Sequence, residues 1–315
     1  MIAMGDKSKK ALIVGSGGQD GRHLSVLLAR RGYRVDGVTR ERLDIADKAA
    51  VHHLIGETRP DEVYLLAAYH QSAESKVESD GELFRKSLAV HATATVNFLE
   101  GVLQHTPDAR LFFASSSHIY AHSDGLLDET SPSQPSNIYA ITKYAGMQVC
   151  RYYREQKNLF ASCGILFNHE SNLRESDFLS RKIVIAAVQI SRGLADAVEL
   201  GNLDAVVDWG YAPDYVDAMH RILQAPHPAD FVVATGIPHT VRQFAEVAFA
   251  AVNLDYRNYV KLRPSVLTKG VETRLGNAGR LRRDTGWKPT VDFEQMVTLM
   301  VRDELANVAE HIEQH

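Results

Sequence analysis

A short apolar run, Lys10 to Val14 (KALIV), leads directly into Gly15-Ser-Gly-Gly-Gln-Asp-Gly21, and the helical periodicity of His23 to Arg31 follows at once. Gly15, Gly18 and Gly21 therefore form a GxxGxxG series at a strand-to-helix turn. Glycine at such points lets the backbone turn sharply, approach a pyrophosphate closely and seat the helix on a sheet, while the helix N-terminus offers unpaired N–H groups to phosphate oxygens. In this strand–turn–helix context the series predicts a dinucleotide site. The plain alternative is a glycine-rich turn that holds nothing.

The first half of the chain repeats the theme. Arg34 to Thr39 reads as a second strand, Ala49 to Ile55 as a helix, Glu62 to Ala68 as a buried strand, Phe84 to Leu103 as a long amphipathic helix and Leu111 to Ala114 as a further strand. Strands alternating with helices at this spacing predict βαβ units, hence an α/β fold with a Rossmann-type doubly wound parallel sheet. A chain of 315 residues also has room for a second, smaller domain. Ligands of such sheets bind outside the carboxyl ends of the strands, which is where Gly15, Ala67 and Ser116 to His118 fall.

The second strand bears on the cofactor. An acidic residue at its end suits the ribose 2′-hydroxyl of NAD, whereas arginine accepts a 2′-phosphate. Here Thr39 and Arg40 stand at that point with Arg42 close behind, which favours NADP(H) and leaves NAD as the alternative. On a plainer reading Arg40 and Arg42 are a solvated loop. Leu43-Asp44-Ile45, after a very short connection, is the type of segment that sets an aspartate beside adenine. The third strand runs through Leu66 into two small residues, Ala67 and Ala68, where backbone passes close to a cofactor.

The chemistry concentrates between Leu111 and Lys143. The strand Leu111 to Ala114 delivers Ser115, Ser116 and Ser117, then His118; after a polar loop, Tyr139 and Lys143 sit four apart in a helical segment. That spacing puts both side chains on one face, one turn apart. An ammonium beside a phenol favours the phenolate and draws its pKa down from about 10, so Tyr139 is expected to act as a base on a substrate hydroxyl.

Composition narrows the partners. A net charge of −4, from 35 basic and 39 acidic residues, gives no electrostatic case for nucleic acid or a membrane surface. The longest apolar runs, such as Ile183 to Val188, fall far short of the roughly 20 residues that span a bilayer. MIAMGDKSKK has no apolar core of a secretory signal. Cys150 and Cys163 lack metal-ligand spacing, so two reduced packing cysteines in the cytoplasm and no metal are expected.

Beyond Tyr139 the chain resembles a family. Gly164-Ile-Leu-Phe-Asn-His-Glu-Ser171, Arg181-Lys182-Ile183, Leu200-Gly-Asn-Leu-Asp-Ala205, Asp208-Trp-Gly210, Asp214-Tyr-Val216, Ala234-Thr-Gly236 and Gly286-Trp-Lys-Pro289 are similar to signatures of the GDP-mannose 4,6-dehydratases, extended short-chain dehydrogenase/reductases that modify nucleotide sugars. Leu12 to Leu28, containing Gln19 and Asp20, agrees as well. The resemblance implies an NADP-binding Rossmann domain over 1–167 plus about 204–238, and a smaller α/β nucleotide-sugar domain over about 168–203 plus 239–315. It adds Gln19, Asp20, Asn168 and His169 to the cofactor contacts, beside Gly15, Gly18, Gly21, Arg40, Asp44, Leu66, Ala67, Ala68, Tyr139 and Lys143.

The resemblance also implies a mechanism. Tyr139, assisted by Lys143 and near Ser116, would take the proton of the sugar 4-hydroxyl while C4 gives hydride to the nicotinamide; a base then removes the C5 proton, water leaves from C6, and the hydride returns to C6. The family's base is a glutamate two residues before the tyrosine of an STSELYG-like string, and this chain has Ser-Ser-Ser-His-Ile-Tyr-Ala there, so His118 holds that position, with Ser117 beside it in the catalytic set. Imidazole can accept the C5 proton and imidazolium can protonate a leaving hydroxyl, or the ring shapes the pocket as a neutral group.

Other departures touch the substrate. Val207 replaces the arginine that precedes Asp208 in the family, leaving Arg181, Lys182, Arg192 and Arg263 as candidate anion contacts, Asn168 as a polar contact at the cleft rim and Glu272 as a candidate ribose contact. The helix Ile183 to Arg192 is expected to cover the nucleotide; Val241 to Val252 and Phe293 to His315 read as further helices and Phe231 to Ala234 as a strand. The segments Phe84 to Leu103 and Tyr139 to Arg154 correspond to a helical dimer interface in the family, which implies a homodimer; the serine-rich loop that supports a tetramer is lacking after Arg40. The expected substrate is thus a nucleoside diphosphate sugar, GDP-mannose or similar. An epimerase or 4-keto reductase on the same scaffold and a non-catalytic NADP-binding sensor are the alternatives.

Overall fold

The computed structural model describes residues 8–69, 78–123, 125–263 and 273–313. In chain order the first elements are β1 (Lys10–Val14), α1 (Gln19–Arg30), β2 (Arg34–Val38), α2 (Lys48–Thr58), β3 (Glu62–Leu65), α3 (Asp80–Leu88), α4 (Ala94–His105), β4 (Arg110–Ser116), β5 (Leu126–Leu127), α5 (Ile138–Lys157) and β6 (Ala161–Leu166). There follow β7 (Asn168–Glu170), α6 (Leu179–Ser191), β8 (Val198–Leu200), β9 (Val206–Tyr211), α7 (Ala212–Gln224), β10 (Asp230–Val233) and β11 (Pro238–Thr240). The last are α8 (Val241–Ala250), β12 (Val260–Leu262), β13 (Leu275–Gly276), α9 (Gly279–Thr285) and α10 (Phe293–Glu313).

Six strands form one all-parallel sheet in the order β10-β6-β4-β3-β1-β2. Parallel strands need crossovers, and the crossover helices cover both faces, so the central strands are buried on both sides. The alternation is visible residue by residue: Leu12, Val14 and Phe113 enter one core with Phe98 and Ile55, whereas Ala11, Ile13 and Phe112 enter the opposite core with Tyr215 and Trp287. This is the doubly wound parallel sheet that the sequence predicts. A third apolar cluster, separate from both, gathers Val184, Trp209, Phe244, Phe249, Phe293 and Met296 from α6, β9, α8 and α10. The small mixed sheet β11-β9-β7 borders it.

Local signals account for the helix ends. Asn137 caps α5, its side chain accepting from Ala140 N at 3.0 Å, and Asn158 closes it in the left-handed conformation. Thr240 and Gln243 make a reciprocal capping box on α8. The predicted continuous helix Phe84 to Leu103 is instead α3 and α4 joined by a π turn, Ala89–Thr93. The wide turn re-phases the apolar stripe, so that His91 and Ala92 face inward.

Two aspartates of the motifs in the second half are joints. The buried Asp208 carboxylate accepts from Thr235 N (3.0 Å), Thr235 Oγ1 (2.6 Å), Gly236 N (2.9 Å) and Gly276 N (3.0 Å), tying β9 to the ends of β10 and β13. Asp214 accepts from Thr290 N (2.9 Å), Thr290 Oγ1 (2.5 Å) and Val291 N (3.1 Å), and its carbonyl accepts from Trp287 Nε1 (2.9 Å). Asp214 thereby holds the loop that turns from the parallel sheet towards α10.

Candidate functional site

A cavity of about 1440 Å³ opens along the carboxyl ends of β1 to β4 and β6, with Val14, Val38, Leu66, Ala114 and Leu166 at its floor. Its far wall comes from the segment around β7 and from Val207 and Trp209 of β9. This is the crevice in which open parallel sheets bind ligands.

The glycine turn has the geometry of a phosphate cradle. Gly15 adopts φ +91°, and a Cβ there would stand 2.7 Å from Ala67 N. At Gly21 a Cβ would stand 2.3 Å from the Gly15 carbonyl oxygen and 2.6 Å from Ser16 Cα. Gly18, the N-cap of α1, has no side chain to satisfy the first-turn N–H groups, which leaves them for an anion. Gly21→Ala is accordingly expected to cost about 1–3 kcal/mol through overpacking that backbone atoms cannot relieve. Thermal unfolding reads the cost, and a dinucleotide titration should show at least about tenfold weaker binding; unchanged affinity would rule out the cradle.

Gly15, Gly18, Gln19, Asp20, Gly21, Arg40, Asp44, Leu66, Ala67 and Ala68 all line the cavity. Arg40 is exposed and makes no ion pair among the described residues, whereas Arg42 turns back to pair with Asp36 and to donate to the Gly37 carbonyl. The two arginines after β2 therefore separate in role.

Asp20 faces His169 across the crevice. Nε2 of His169 lies 3.0 Å from both Asp20 oxygens, and its Nδ1 is 2.7 Å from the Phe167 carbonyl. A carbonyl only accepts, so Nδ1 carries a proton; a carboxylate also only accepts, so Nε2 carries one too, and the ring is an imidazolium. Burial lowers the His169 pKa, yet the charge and hydrogen bond of Asp20 outweigh it and the net shift is upward. Burial likewise raises Asp20, and His169 reverses it to a net lowering. The stability from His169 is fully present below its ordinary 6.5 and is lost as pH rises through the raised folded value. That from Asp20 is present above 3.8 and is lost as pH falls through the lowered one. Asp20→Asn should thus lower stability most between those limits, with the deficit shrinking at alkaline pH. Urea denaturation at a series of pH values checks this, and a pH-independent deficit would rule out the ion pair.

The catalytic candidates meet at the end of β4. Ser116, His118, Tyr139 and Lys143 line the cavity, and the Ser116 side chain hydrogen-bonds Tyr139. The His118 N–H donates to Ser116 Oγ at 3.3 Å, and the His118 and Tyr139 rings stand at 86° with centroids 6.1 Å apart. Lys143 is buried, and its Nζ donates to the Ala114 carbonyl at 2.8 Å. Burial pushes its pKa down to about 7. The expected acidification of the phenol does not appear: burial raises the Tyr139 pKa, and the Ser116 hydrogen bond and the Arg174 charge offset it only in part. An amine that is itself half discharged near neutrality is a weak source of positive field. Ser117 does not line the cavity; it is buried at the start of the 3-10 turn Ser117–Ile119, and Ser115 lines the cavity instead.

On the substrate side Asn168 and His169 line the cavity, but Arg181, Lys182, Arg192 and Arg263 do not. Only the first turn of α6, Leu179 and Ser180, reaches it, so this helix does not cover the cavity along its length. Ile183, Val184 and Ala187 seat α6 on the third core, which turns Arg181 to a buried pair with Glu304 on α10. Arg192, exposed at the other end of α6, is roughly 18 Å along the helix from Ser180. Arg263 is exposed and pairs with Glu199 at 2.9 Å across β12 and β8. Glu272 lies outside the described residues.

Sequence reasoning passed over Arg174. Its guanidinium stacks 3.6 Å from the Phe178 ring centroid, lies 3.4 Å from Glu170 and lines the cavity, within electrostatic reach of Tyr139 and Asp20. Its spacing of four from Glu170 was the available signal. Lys86, Glu78 and Tyr69 also line the cavity, Glu78 accepting from Lys86 at 2.7 Å and from Tyr69 at 3.0 Å.

A parallel doubly wound sheet with a glycine cradle at β1, a serine–tyrosine–lysine group at β4 and a second core across the crevice defines an extended short-chain dehydrogenase/reductase. The family profile for GDP-mannose 4,6 dehydratase matches residues 38–300. GDP-mannose 4,6 dehydratase 2 of Arabidopsis thaliana is 36% identical, covering 94% of this chain and 87% of the relative. GDP-mannose 4,6-dehydratase of Vibrio cholerae serotype O1 is 31% identical over 96% of this chain and 95% of its own. The chain belongs to the GDP-mannose 4,6-dehydratase family. Among solved structures the fold matches RMD from Pseudomonas aeruginosa complexed with NADPH, at TM-score 0.83 and 21% identity, covering 95% of this chain and 100% of that one. It also matches the UDP-glucose 4-epimerase of Thermus thermophilus in complex with NAD, at TM-score 0.80 and 24% identity, covering 94% of this chain and 98% of that one.

Proposed function

We propose that this chain is a nucleotide-sugar 4,6-dehydratase that acts on GDP-mannose or a close analogue with a resident nicotinamide dinucleotide. The observation that carries the reading is the Ser116–Tyr139–Lys143 group at the carboxyl end of β4, in the same cavity as the glycine cradle. When bound, the dinucleotide supplies hydride acceptance from C4 and hydride return to C6. Gly15 and Gly21 would leave room for its pyrophosphate, the α1 N-terminus would meet the phosphate charge, and Asp44, which lines the same cavity, would contact the adenosine. Arg40, exposed on the cavity edge without an ion pair among the described residues, supports NADP over NAD. Arg40→Ala should bring the two dissociation constants together, chiefly by weakening NADP by about tenfold; equal weakening of both would assign Arg40 no role in the choice.

In this reading Tyr139, hydrogen-bonded to Ser116 and with Lys143 one turn away, exchanges the proton of the sugar 4-hydroxyl. His118, on the same wall, takes the C5 proton and gives it to the departing 6-hydroxyl, which leaves as water, and the proton that left the 4-hydroxyl for Tyr139 is the one that restores C5, so both side chains end as they began. Asn168 and Arg174 are the contacts offered to substrate or cofactor from the far side. His118, which the resemblance sets at the position of the family's glutamate, also favours a second reading, an epimerase or 4-keto reductase on the same scaffold.

Incubation with GDP-, UDP-, CDP- and dTDP-sugars separates the readings. A product lighter by one water, formed without net consumption of reduced dinucleotide, supports the dehydratase; a product of unchanged mass marks epimerisation, and NADPH consumed in step with product marks a reductase. The reading includes a homodimer through the face that exposes Phe84, Ile141 and Tyr152, and a cytoplasmic setting consistent with the free, buried Cys150 and Cys163. Among the described residues no helix is long and apolar enough to cross a membrane.

A further inference from the structure

The π turn between α3 and α4 carries His91, which is 0% exposed. Its Nε2 is 3.0 Å from the backbone N of Tyr69, a group that only donates, so Nε2 is a bare acceptor. Its Nδ1 is 2.8 Å from Thr142 Oγ1. The Thr142 hydroxyl commits its single proton to the Ile138 carbonyl at 2.9 Å or the Tyr139 carbonyl at 3.1 Å, so Nδ1 must carry the proton that joins the two side chains. Both ends of the ring thus require one neutral tautomer.

The ring is placed against the chemistry. His91 and Tyr139 stand at 89° with centroids 5.4 Å apart, and Thr142 lies in the turn of α5 that follows Tyr139. The seat is tight: a Cβ on Gly146 would stand 2.2 Å from the His91 carbonyl oxygen, so α5 rests directly on the π turn. One imidazole therefore links the cavity wall at Tyr69, the π turn and the turn that holds the phenol. Wide turns of this kind recur at functional sites.

We propose that His91 is a positioning residue for Tyr139: a neutral imidazole, protonated on Nδ1, that holds the phenol ring and the Tyr69 wall in register with Ser116 and His118 and exchanges no proton itself. The proposal rests on the reading of Tyr139 as the proton carrier. Misplacement of a reacting group by about 1 Å costs up to about a hundredfold in rate, which sets the scale.

His91→Phe keeps a ring and removes both hydrogen bonds. Its kcat should fall by about tenfold to a hundredfold, with KM for the sugar nucleotide and the dinucleotide dissociation constant within about threefold of the parent. His91→Gln, which offers one donor and one acceptor, should recover part of the loss. Thr142→Val, a smaller perturbation of the fold, should lower kcat in the same sense, and the double variant should be no slower than His91→Phe because both act through one bond. A folded His91→Phe with parental kcat, or additive losses in the double variant, overturns the proposal. ¹⁵N-histidine NMR of the unliganded protein gives a reading independent of the substrate. At neutral pH the ring whose signals vanish in His91→Phe should be protonated on Nδ1 alone; if that ring is protonated on Nε2 or on both nitrogens, the proposal is overturned even where no sugar nucleotide is turned over, which is the separate failure of the function proposed above.

Discussion

Tyr139→Phe is expected to lower turnover by about 10²–10⁴-fold while leaving dinucleotide affinity within about twofold. The substitution removes one oxygen and keeps the ring that packs edge-on against His91 and His118, so the loss reports proton transfer and not packing. In the unliganded cleft the phenol stays protonated because burial raises its pKa, and Lys143, held at about 7 by its own burial, cannot reverse this by its charge alone. Activation of the phenol then depends on charge that arrives with the ligands, which places the effect in kcat. Mass spectrometry of the sugar product and fluorescence titration of the dinucleotide measure the two quantities separately. Full turnover by a folded Tyr139→Phe would remove the phenol from the mechanism.

Asp208→Ala should lower stability by about 3–5 kcal/mol, because three backbone N–H groups and the Thr235 hydroxyl lose a buried acceptor at about 1–3 kcal/mol for each orphan that water does not reach. A lower urea midpoint with an unchanged slope is the expected result, and an unchanged midpoint would show that the joint contributes nothing. Asp208→Asn keeps acceptor capacity and should recover part of the loss. The effect extends to the site, since Val207 and Trp209 on either side of Asp208 line the cavity from the opposite face of β9. KM for the sugar nucleotide is expected to rise in the Asn variant for that reason.

Some of this was open to inspection in the linear chain. KALIV followed by three spaced glycines has few physical uses other than a strand, a tight turn and a helix, and β1 and α1 form there. Tyr139 and Lys143, one helical turn apart, depend on α5 alone for their mutual position.

Three of the candidate anion contacts do not line the cavity, and for a common reason. Arg181, Arg192 and Arg263 are basic residues in motif-rich segments, but whether a guanidinium reaches the cavity depends on which side of α6 meets α10 and on where β12 pairs with β8. Arg174 reaches it because β7 and the turn after it line the crevice. The Tyr139 pKa follows the same logic, since a spacing of four gives an amine its nearness but says nothing of the burial that discharges it.

Periodicity and turn chemistry are local, so the sequence by itself determined β1 to β4 and β10, the glycine turn, and the serine, tyrosine and lysine at the end of β4. Charge partners, burial and cavity lining are set by segments far apart in the chain. Only the packed structure could therefore decide that Arg181 belongs to Glu304, that the phenol is pushed up and not down, and that a histidine in a π turn stands against it.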